Sequence, residues 1–288
     1  MSEFQDKVAI VTGGASGIGR ALCEELGRRG AMVVVADIDR EGAQKVAQAI
    51  SADGGLASSV EVDVAEEMAV KGLVGESVVE HGRLDYMFNN AGIGVGGEQR
   101  DMPADLWRRV VEVDLMGVVF GTTAAYSLMV RQGSGHIVNT SSMAGLIGMP
   151  TTVSYTAAKF GVVGLSTSLR AEAEELGVKV SVVCPGFVES NIFYTSTLLQ
   201  VDRAELLALP MPKKVPASKA AEIILRGVQR NRAIIVFPLL ARLFWRLYRL
   251  SPLLMVPITR KVIRDFRSIR QEPRARPSPL SETPSAPR

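Results

Sequence analysis

The sequence predicts an α/β fold, a doubly wound parallel sheet of seven strands with helices on both faces. Three observations carry this reading. Short apolar runs alternate with helical patterns over residues 1–237. The first run opens into a glycine-rich turn, and the second ends on an acid about 20 residues further along. Alternation of this kind builds parallel strands joined by crossover helices. At 288 residues, 47% hydrophobic and 22% charged, the chain is long enough for one core. It has no internal repeat.

Lys7-Val8-Ala9-Ile10-Val11 reads as a short buried strand. Thr12-Gly13-Gly14-Ala15-Ser16-Gly17-Ile18-Gly19 follows, and Arg20 to Arg29 reads as a helix with Ala21, Leu22 and Leu26 on its apolar side. Strand, glycine-rich turn and helix together aim backbone N–H groups and a helix N-terminus at a pyrophosphate. The spacing is G-x-x-x-G-x-G rather than G-x-G-x-x-G, so taken alone this segment also fits an ordinary glycine-rich turn. The second strand, Met32 to Ala36, ends at Asp37. A carboxylate there is expected to hold the adenosine ribose hydroxyls and repel a 2′-phosphate, which favours NAD over NADP. The alternative is a solvent-exposed aspartate capping the helix that starts near Asp39, and Arg20 and Arg40 keep NADP open. Strands near 57–62, 84–88, 135–140, 178–184 and 233–236 complete the seven.

Ser142 stands thirteen residues before Tyr155, and Lys159 lies one helical turn beyond it. Positions i and i+4 of a helix share a face, so Lys159 can bring an ammonium near the phenol. A free tyrosine titrates near about 10, and a fixed cation is expected to lower that value towards the range of a working general acid/base.

With these pieces together the chain resembles the short-chain dehydrogenase/reductase family over roughly residues 5 to 235. The landmarks, in order, are Thr12-Gly13-x-x-x-Gly17-x-Gly19, Asp63-Val64, Asn89-Asn90-Ala91-Gly92, Ser142, Tyr155-x-x-x-Lys159 and Pro185-Gly186. The resemblance implies a Rossmann-type fold and a nicotinamide cofactor cradled by Gly13, Ser16, Gly17, Ile18 and Gly19. It implies Asp63 at the adenine amino group with Val64 beside the ring, and Asn90, Ala91 and Gly92 closing the fourth strand under the cofactor. Tyr155 is the implied acid/base, Lys159 the holder of the nicotinamide ribose, and Ser142 the donor to the reacting oxygen, with Ser141 disfavoured by spacing. Pro185, Gly186 and the Val188 backbone would set the carboxamide, with Ser190 in place of the family's usual threonine. One position departs. The stretch Val113-Asp114-Leu115-Met116-Gly117 carries Asp114 where the family commonly has asparagine. The proton relay is expected to survive this change, and the pH profile is left open.

Cys23 and Cys184 read as packed thiols rather than a disulfide, in keeping with a reducing, cytoplasmic setting. His81 and His136 have no partners at metal-ligand spacing, so no metal is expected. The N-terminus lacks an apolar signal core, and no uninterrupted run of 18 or more apolar residues is present.

Residues 238–271 form a distinct extension. Residues 232–288 hold twelve Lys+Arg against three Asp+Glu, a net of +9, which leaves −6 for residues 1–231 of the total +3. Leu239, Leu240, Leu243, Phe244, Leu247 and Leu250 recur at helical spacing, and Arg242, Arg246 and Arg249 line another face. A second basic stretch runs from Arg260 to Arg270. Such helices suit either peripheral contact with a membrane surface through residues 239–270, or an apolar face covering the substrate mouth or a subunit contact. Nucleic acid is disfavoured by the acidic body. Five prolines in the last sixteen residues mark 272–288 as a disordered tail.

The segment Phe187 to Leu199 and the loop Leu146 to Pro150 are expected to form a mainly apolar pocket, with Ile147, Met149 and Phe193 its candidate substrate contacts. The resulting expectation is an NAD-dependent dehydrogenase or ketoreductase for a lipophilic secondary alcohol or ketone. The resemblance adds a homotetramer or dimer through helices around 103–131 and 153–176. Alternatives are a ketoreductase acting on acyl thioesters, with acidic carriers docking on the basic extension, and a non-catalytic dinucleotide-binding regulator. The intact Ser/Tyr/Lys set speaks against the regulator.

Overall fold

The computed structural model describes residues 3–271, except for the side chain of Phe193, so the expected disordered tail 272–288 lies outside the described residues. The strands are β1 (Val8–Thr12), β2 (Met32–Asp37), β3 (Leu56–Glu61), β4 (Tyr86–Asn89), β5 (Val95–Gly96), β6 (Gly135–Thr140), β7 (Val178–Pro185), β8 (Thr197–Leu198) and β9 (Ile234–Phe237). Seven of them form one parallel sheet in the order β3-β2-β1-β4-β6-β7-β9. The order reverses between β1 and β4, and that switch point opens a crevice at the carboxyl ends of the strands. β5 and β8 make a separate two-stranded parallel pair above it. The sequence patterns did not contain that pair, since two residues carry no periodicity.

The helices are α1 (Gly17–Arg28), α2 (Arg40–Ala52), α3 (Glu67–His81), α4 (Ala104–Val111), α5 (Gly117–Gln132), α6 (Val153–Ala173), α7 (Ile192–Thr195), α8 (Arg203–Ala208), α9 (Ala217–Gln229), α10 (Leu239–Leu250) and α11 (Val256–Ser268). α1 begins at Gly17, earlier than the Arg20 that its charged turn suggested. Asp39 is the residue that caps α2, accepting from Gly42 N at 3.0 Å, so Asp37 is free of that task.

Alternate side chains of the central strands feed two cores, as the parallel reading requires. Ala9, Val11, Val33 and Val35 pack with Leu22, Leu26, Ile50 and Ile224 under α1, α2 and α9. Val8, Ile10, Val34 and Ala36 pack with Leu73, Val113 and Met129 under α3 and α5. α4 and α5 join through a π-helical turn, Glu112–Met116, into one rod from Ala104 to Gln132. This rod is long and apolar enough to cross a membrane, but it lies in the helical layer over β4 and β6, packed against α3 and α6.

A third cluster joins the extension to the body. Leu146, Ile147, Val182, Cys184 and Val236 meet Ala241 and Met255, with Phe244, Trp245 and Tyr248 at the margin. The inward face of α10 is therefore Ala241, Phe244, Trp245 and Tyr248. Of the leucine stripe read either as a membrane face or as a packing face, Leu239, Leu240, Leu243 and Leu250 are exposed. Both cysteines are buried free thiols, and burial pushes the Cys184 thiol up to about 12.

His136 in β6 is buried, its Nε2 is 2.9 Å from Ser181 Oγ, and burial, then Lys179 and Arg170, pull its pKa down to about 3. The folded protein keeps this ring neutral where the unfolded chain takes up a proton. Stability is therefore full above pH about 6.5 and falls with pH down to about 3, by about 1.4 kcal/mol per pH unit. Chemical denaturation at pH 7 and pH 5 should show this loss, and His136→Gln should flatten it; an unchanged slope in the variant removes His136 as its source.

Candidate active site

The carboxyl ends of β1, β2 and β4 line the crevice at the switch point, where the sequence reading places a dinucleotide. The first N–H groups of α1 have no helix carbonyl to bond, and Ser16 does not cap them with its side chain. They form an anion site of the kind a pyrophosphate uses. Gly17 has φ +53°, and a side chain on it would meet Ser190 Cβ at 3.0 Å, so Ser190 sits directly over the turn. Asp37 ends β2 with Oδ2 accepting from Ala15 N at 2.9 Å and Oδ1 from Asp39 N at 3.0 Å. Arg20 and Arg40 are turned to acids of their own, Glu24 at 2.7 Å and Glu61 at 4.0 Å. At the next strand end, Asp63 accepts from Ala65 N at 2.9 Å and Arg109 at 3.1 Å. Partial burial works to raise its pKa, but these two donors outweigh it and hold the carboxyl below its ordinary value. Val64 is buried beside it.

Thr12 clips β4 to β1. Its Oγ1 accepts from Asn90 N at 3.0 Å and Ala91 N at 3.1 Å, while Asn90 Nδ2 donates to Thr12 O at 3.1 Å. Below, Asn89 Nδ2 donates to Asn139 Oδ1 at 2.8 Å, and Asn139 Nδ2 to Ser166 Oγ at 3.0 Å. These buried bonds fix β4, β6 and α6 at one height. The sequence reading gave these side chains no role; the signal was there, as amides ending otherwise apolar strands.

On this platform α6 presents Tyr155 and Lys159. Lys159 Nζ is 3.0 Å from Asp114 Oδ1 and donates to Thr140 O at 3.3 Å. Asp114 is fully buried and also accepts from Ile93 N at 3.3 Å. Gly92 makes room for the pair, since a Cβ there would meet Asp114 Oδ1 at 2.6 Å and Lys159 Nζ at 3.4 Å. Burial works against the Lys159 ammonium, but Asp114 and Tyr155 outweigh it and hold its pKa above the usual lysine value. Lys159 Nζ lies 5.5 Å from the Tyr155 ring centre. Ser142 hydrogen-bonds the Tyr155 phenol and accepts from Ala144 N at 3.1 Å, while Ser141 is spent on the Lys159 carbonyl at 2.8 Å. Burial raises the Tyr155 pKa and outweighs the lowering by Lys159 that its position on the helix implies, so the net shift of the phenol is upward. The Asp114 charge also opposes the lowering by Lys159 and Ser142.

The short chain dehydrogenase family profile matches residues 7–198. The chain belongs to this family. It is 35% identical over 225 residues to the cyclohexanol dehydrogenase of an Acinetobacter species, covering 77% of this chain and 88% of that protein. It is 40% identical over 190 residues to the cis-4-hydroxycyclohexanecarboxylate dehydrogenase of Sinomonas cyclohexanicum, covering 66% and 76%. A short chain dehydrogenase/reductase from Burkholderia phymatum, crystallised with NAD, superposes with a TM-score of 0.77 at 28% identity, covering 96% of this chain and all of that one.

Four segments wall the mouth of this short-chain dehydrogenase. After β7, Gly186 N bonds Phe237 O at 2.7 Å, and the Val188 backbone bridges Val215. β8 then pairs with β5, and Gly97 N bonds Thr151 O at 2.7 Å, joining the loop that holds half-buried Met149. Ile147 in that loop is 1% exposed and packs as core beneath the extension rather than opening on the mouth. Phe193 falls in α7, and its side chain lies outside the description.

The fourth wall is the end of the extension, which crosses back as a latch. Arg270 bridges Val201, and Gln271 N bonds Gln200 O at 2.8 Å. Arg270 pairs with Asp101 at 2.9 Å and Arg267 with Glu98 at 2.9 Å. Glu98 is covered by Arg100 and Arg267, both more than half exposed, so it is shielded at the surface rather than sunk in the core. Arg267, helped by Arg100, holds the Glu98 carboxyl down to about 2, so the latch is whole above the usual carboxylate range and weakens only as pH falls towards 2. These partners stand 169 positions apart, and no local pattern announces them.

Removing both cations by Arg267→Gln and Arg270→Gln should release the 191–202 wall. Chymotrypsin should then cut there about tenfold faster than in the wild type. Equal cutting rates would mean that the wall is held without the latch.

Proposed function

We propose that this short-chain dehydrogenase oxidises a lipophilic secondary alcohol to the ketone with NAD, using Tyr155 as the general base. The observation that carries the reading is the line Ser142, Tyr155, Lys159, Asp114 beside the dinucleotide cleft, half-buried at the serine and tyrosine and fully buried at the lysine and aspartate. When bound, the nicotinamide dinucleotide supplies the acceptor for the hydride that leaves the alcohol carbon. The chain's residues do the rest. Gly13, Ser16, Gly17, Ile18 and Gly19 would hold the phosphates, Asp37 the adenosine ribose, and Asp63 and Val64 the adenine. Asn90, Ala91 and Gly92 would lie under the cofactor, and Pro185, Gly186, Val188 and Ser190 at its carboxamide. Asp37 would meet a 2′-phosphate with like charge, which favours NAD over NADP, and Arg20 and Arg40 are exposed cations nearby in surface pairs of their own.

Ser142 accepts from the Ala144 amide, which orients its hydroxyl, and its proton would turn from the Tyr155 phenol to the substrate oxygen when substrate is bound. Tyr155 takes the hydroxyl proton. Lys159 steadies the phenolate, and Asp114 keeps the ammonium charged while limiting how far it can lower the phenol. Asp114 Oδ2 has no protein partner among the described residues, and a buried carboxylate oxygen of that kind is a place for a relay water.

Two relatives carry names of dehydrogenases for ring secondary alcohols, which supports a cyclic or otherwise lipophilic alcohol. Met149 and Phe193 remain the proposed contacts. The acyl-thioester alternative would dock an acidic carrier on the cations of the extension, and the names of the relatives give it no support. Exposed Val153 and Phe160 on α6 favour the expected dimer or tetramer through α4–α5 and α6.

Reduced cofactor formed from NAD or NADP with a panel of cyclic secondary alcohols tests the reading. Tyr155→Phe should lower the rate by about 10²- to 10⁴-fold with folding intact, and NAD should outperform NADP. Turnover surviving in the variant would remove Tyr155 as the base. Asp114→Asn retains an acceptor but deletes the charge that opposes phenolate formation. The acidic limb of its kcat/KM profile for oxidation should move to lower pH where that opposition is the larger effect, whereas a limb that rises would make holding Lys159 charged the larger role of Asp114.

A further inference from the structure

Seven of the fifteen large exposed apolar side chains among the described residues fall between 239 and 258, in the extension. On α10, Leu239, Leu243 and Leu250 recur at one-turn spacing opposite the packed Ala241, Phe244, Trp245 and Tyr248, and they are 76%, 49% and 79% exposed. The face continues through Leu253 and Leu254 in the turn Pro252–Met255 and reaches Ile258 in α11, while Met255 and Phe266 point inward. Arg246 shares the leucine stripe. No aspartate or glutamate occurs from Ala233 to Arg264, a stretch holding Arg242, Arg246, Arg249, Arg260, Lys261 and Arg264.

We propose that this leucine and arginine face docks on the surface of an anionic lipid bilayer. The partner has to accept apolar side chains and neutralise cations within one turn of one another. Two copies of the face set against each other would bury the leucines but oppose cation to cation with no acid between them. An anionic bilayer answers both needs, because headgroup phosphates meet the arginines and acyl chains take the leucines. The net −6 of residues 1–231 turns the rest of the molecule away from such a surface, which fixes orientation. The docking stands apart from the catalytic reading. It also puts membrane contact and the latched wall of the mouth on one segment.

Flotation of the full chain with phosphatidylcholine vesicles, with and without phosphatidylglycerol, tests this. The expected result is flotation on the phosphatidylglycerol vesicles. Leu243→Asn, Leu250→Asn and Leu253→Asn combined, which keep every charge, should raise the lipid needed by about tenfold or more. Arg246→Gln with Arg260→Gln should weaken binding and its salt dependence. Circular dichroism should show the leucine variant folded. A wild type that floats with neither vesicle overturns the proposal. So does a leucine variant that binds like the wild type, because the basic tail's charge alone would then suffice. A change in the variant's molar mass by light scattering without vesicles would instead assign the face to contact between copies.

Discussion

The ion pair between Lys159 and Asp114 is the constraint around which the active centre is organised. Two charges this deeply buried are tolerable only with close geometry and further hydrogen bonds. Each neighbouring feature supplies part of that requirement. Thr140 O and Ile93 N add a hydrogen bond to each partner, and Gly92 leaves the space. The π turn lies within the long rod and contains Asp114 itself, so the helix carries an extra residue at the point where its side chain must reach the lysine. The amide chain Asn89, Asn139, Ser166 then fixes the strand ends against α6, which sets the height of the lysine relative to the phenol. The electrostatic consequence is a compromise. Asp114 secures a charged lysine, and the same charge opposes its effect on Tyr155.

Much of the fold was legible in the sequence because the central strands of the sheet are buried on both faces and read as short apolar runs. Val33 to Ala36 or Ile137 to Thr140 allow little else at their length. Each of the seven strands lies within two residues of its expected place. β1 leads into the glycine turn as read, although α1 starts at Gly17, because glycines there serve the turn and the first helical turn together. β5 and β8 were invisible. Their pairing depends on where two long loops meet in space, and sequence periodicity carries no information on that.

The site was legible where chemistry is local. Tyr155 and Lys159 sit one turn apart, and Ser142 ends a strand beside them. Asp37 was open between two uses until Asp39 took the cap. Asp114 could be identified as a departure, but its ion pair with Lys159 depends on helix-to-helix placement. Ile147 looked like pocket because it lies in a loop, yet the extension covers that loop and turns the residue into core. The latch is the extreme case. Glu98 and Asp101 read as surface acids and Arg267 and Arg270 as surface cations, and only the folded path of the extension brings them together.

The extension shows why amphipathic periodicity alone can choose the wrong face. α10 is apolar on two sides, one aromatic and one leucine-rich, so a count of hydrophobic positions favours the leucines. Packing favours the other side. Phe244, Trp245 and Tyr248 lie beside Ala241, and the small alanine lets the helix approach Val236 and Cys184 while the rings cover the flanks. Arg242 and Arg249 reinforce this choice. The first donates to Val236 O and the second lies 5.4 Å over the Trp245 ring, so both flank the aromatic side. Turning the leucines inward would forfeit the Arg242 bond to Val236 O and uncover the Trp245 ring that Arg249 caps. The leucines therefore face outward as a consequence of aromatic packing, and their exposure is a built feature of the fold.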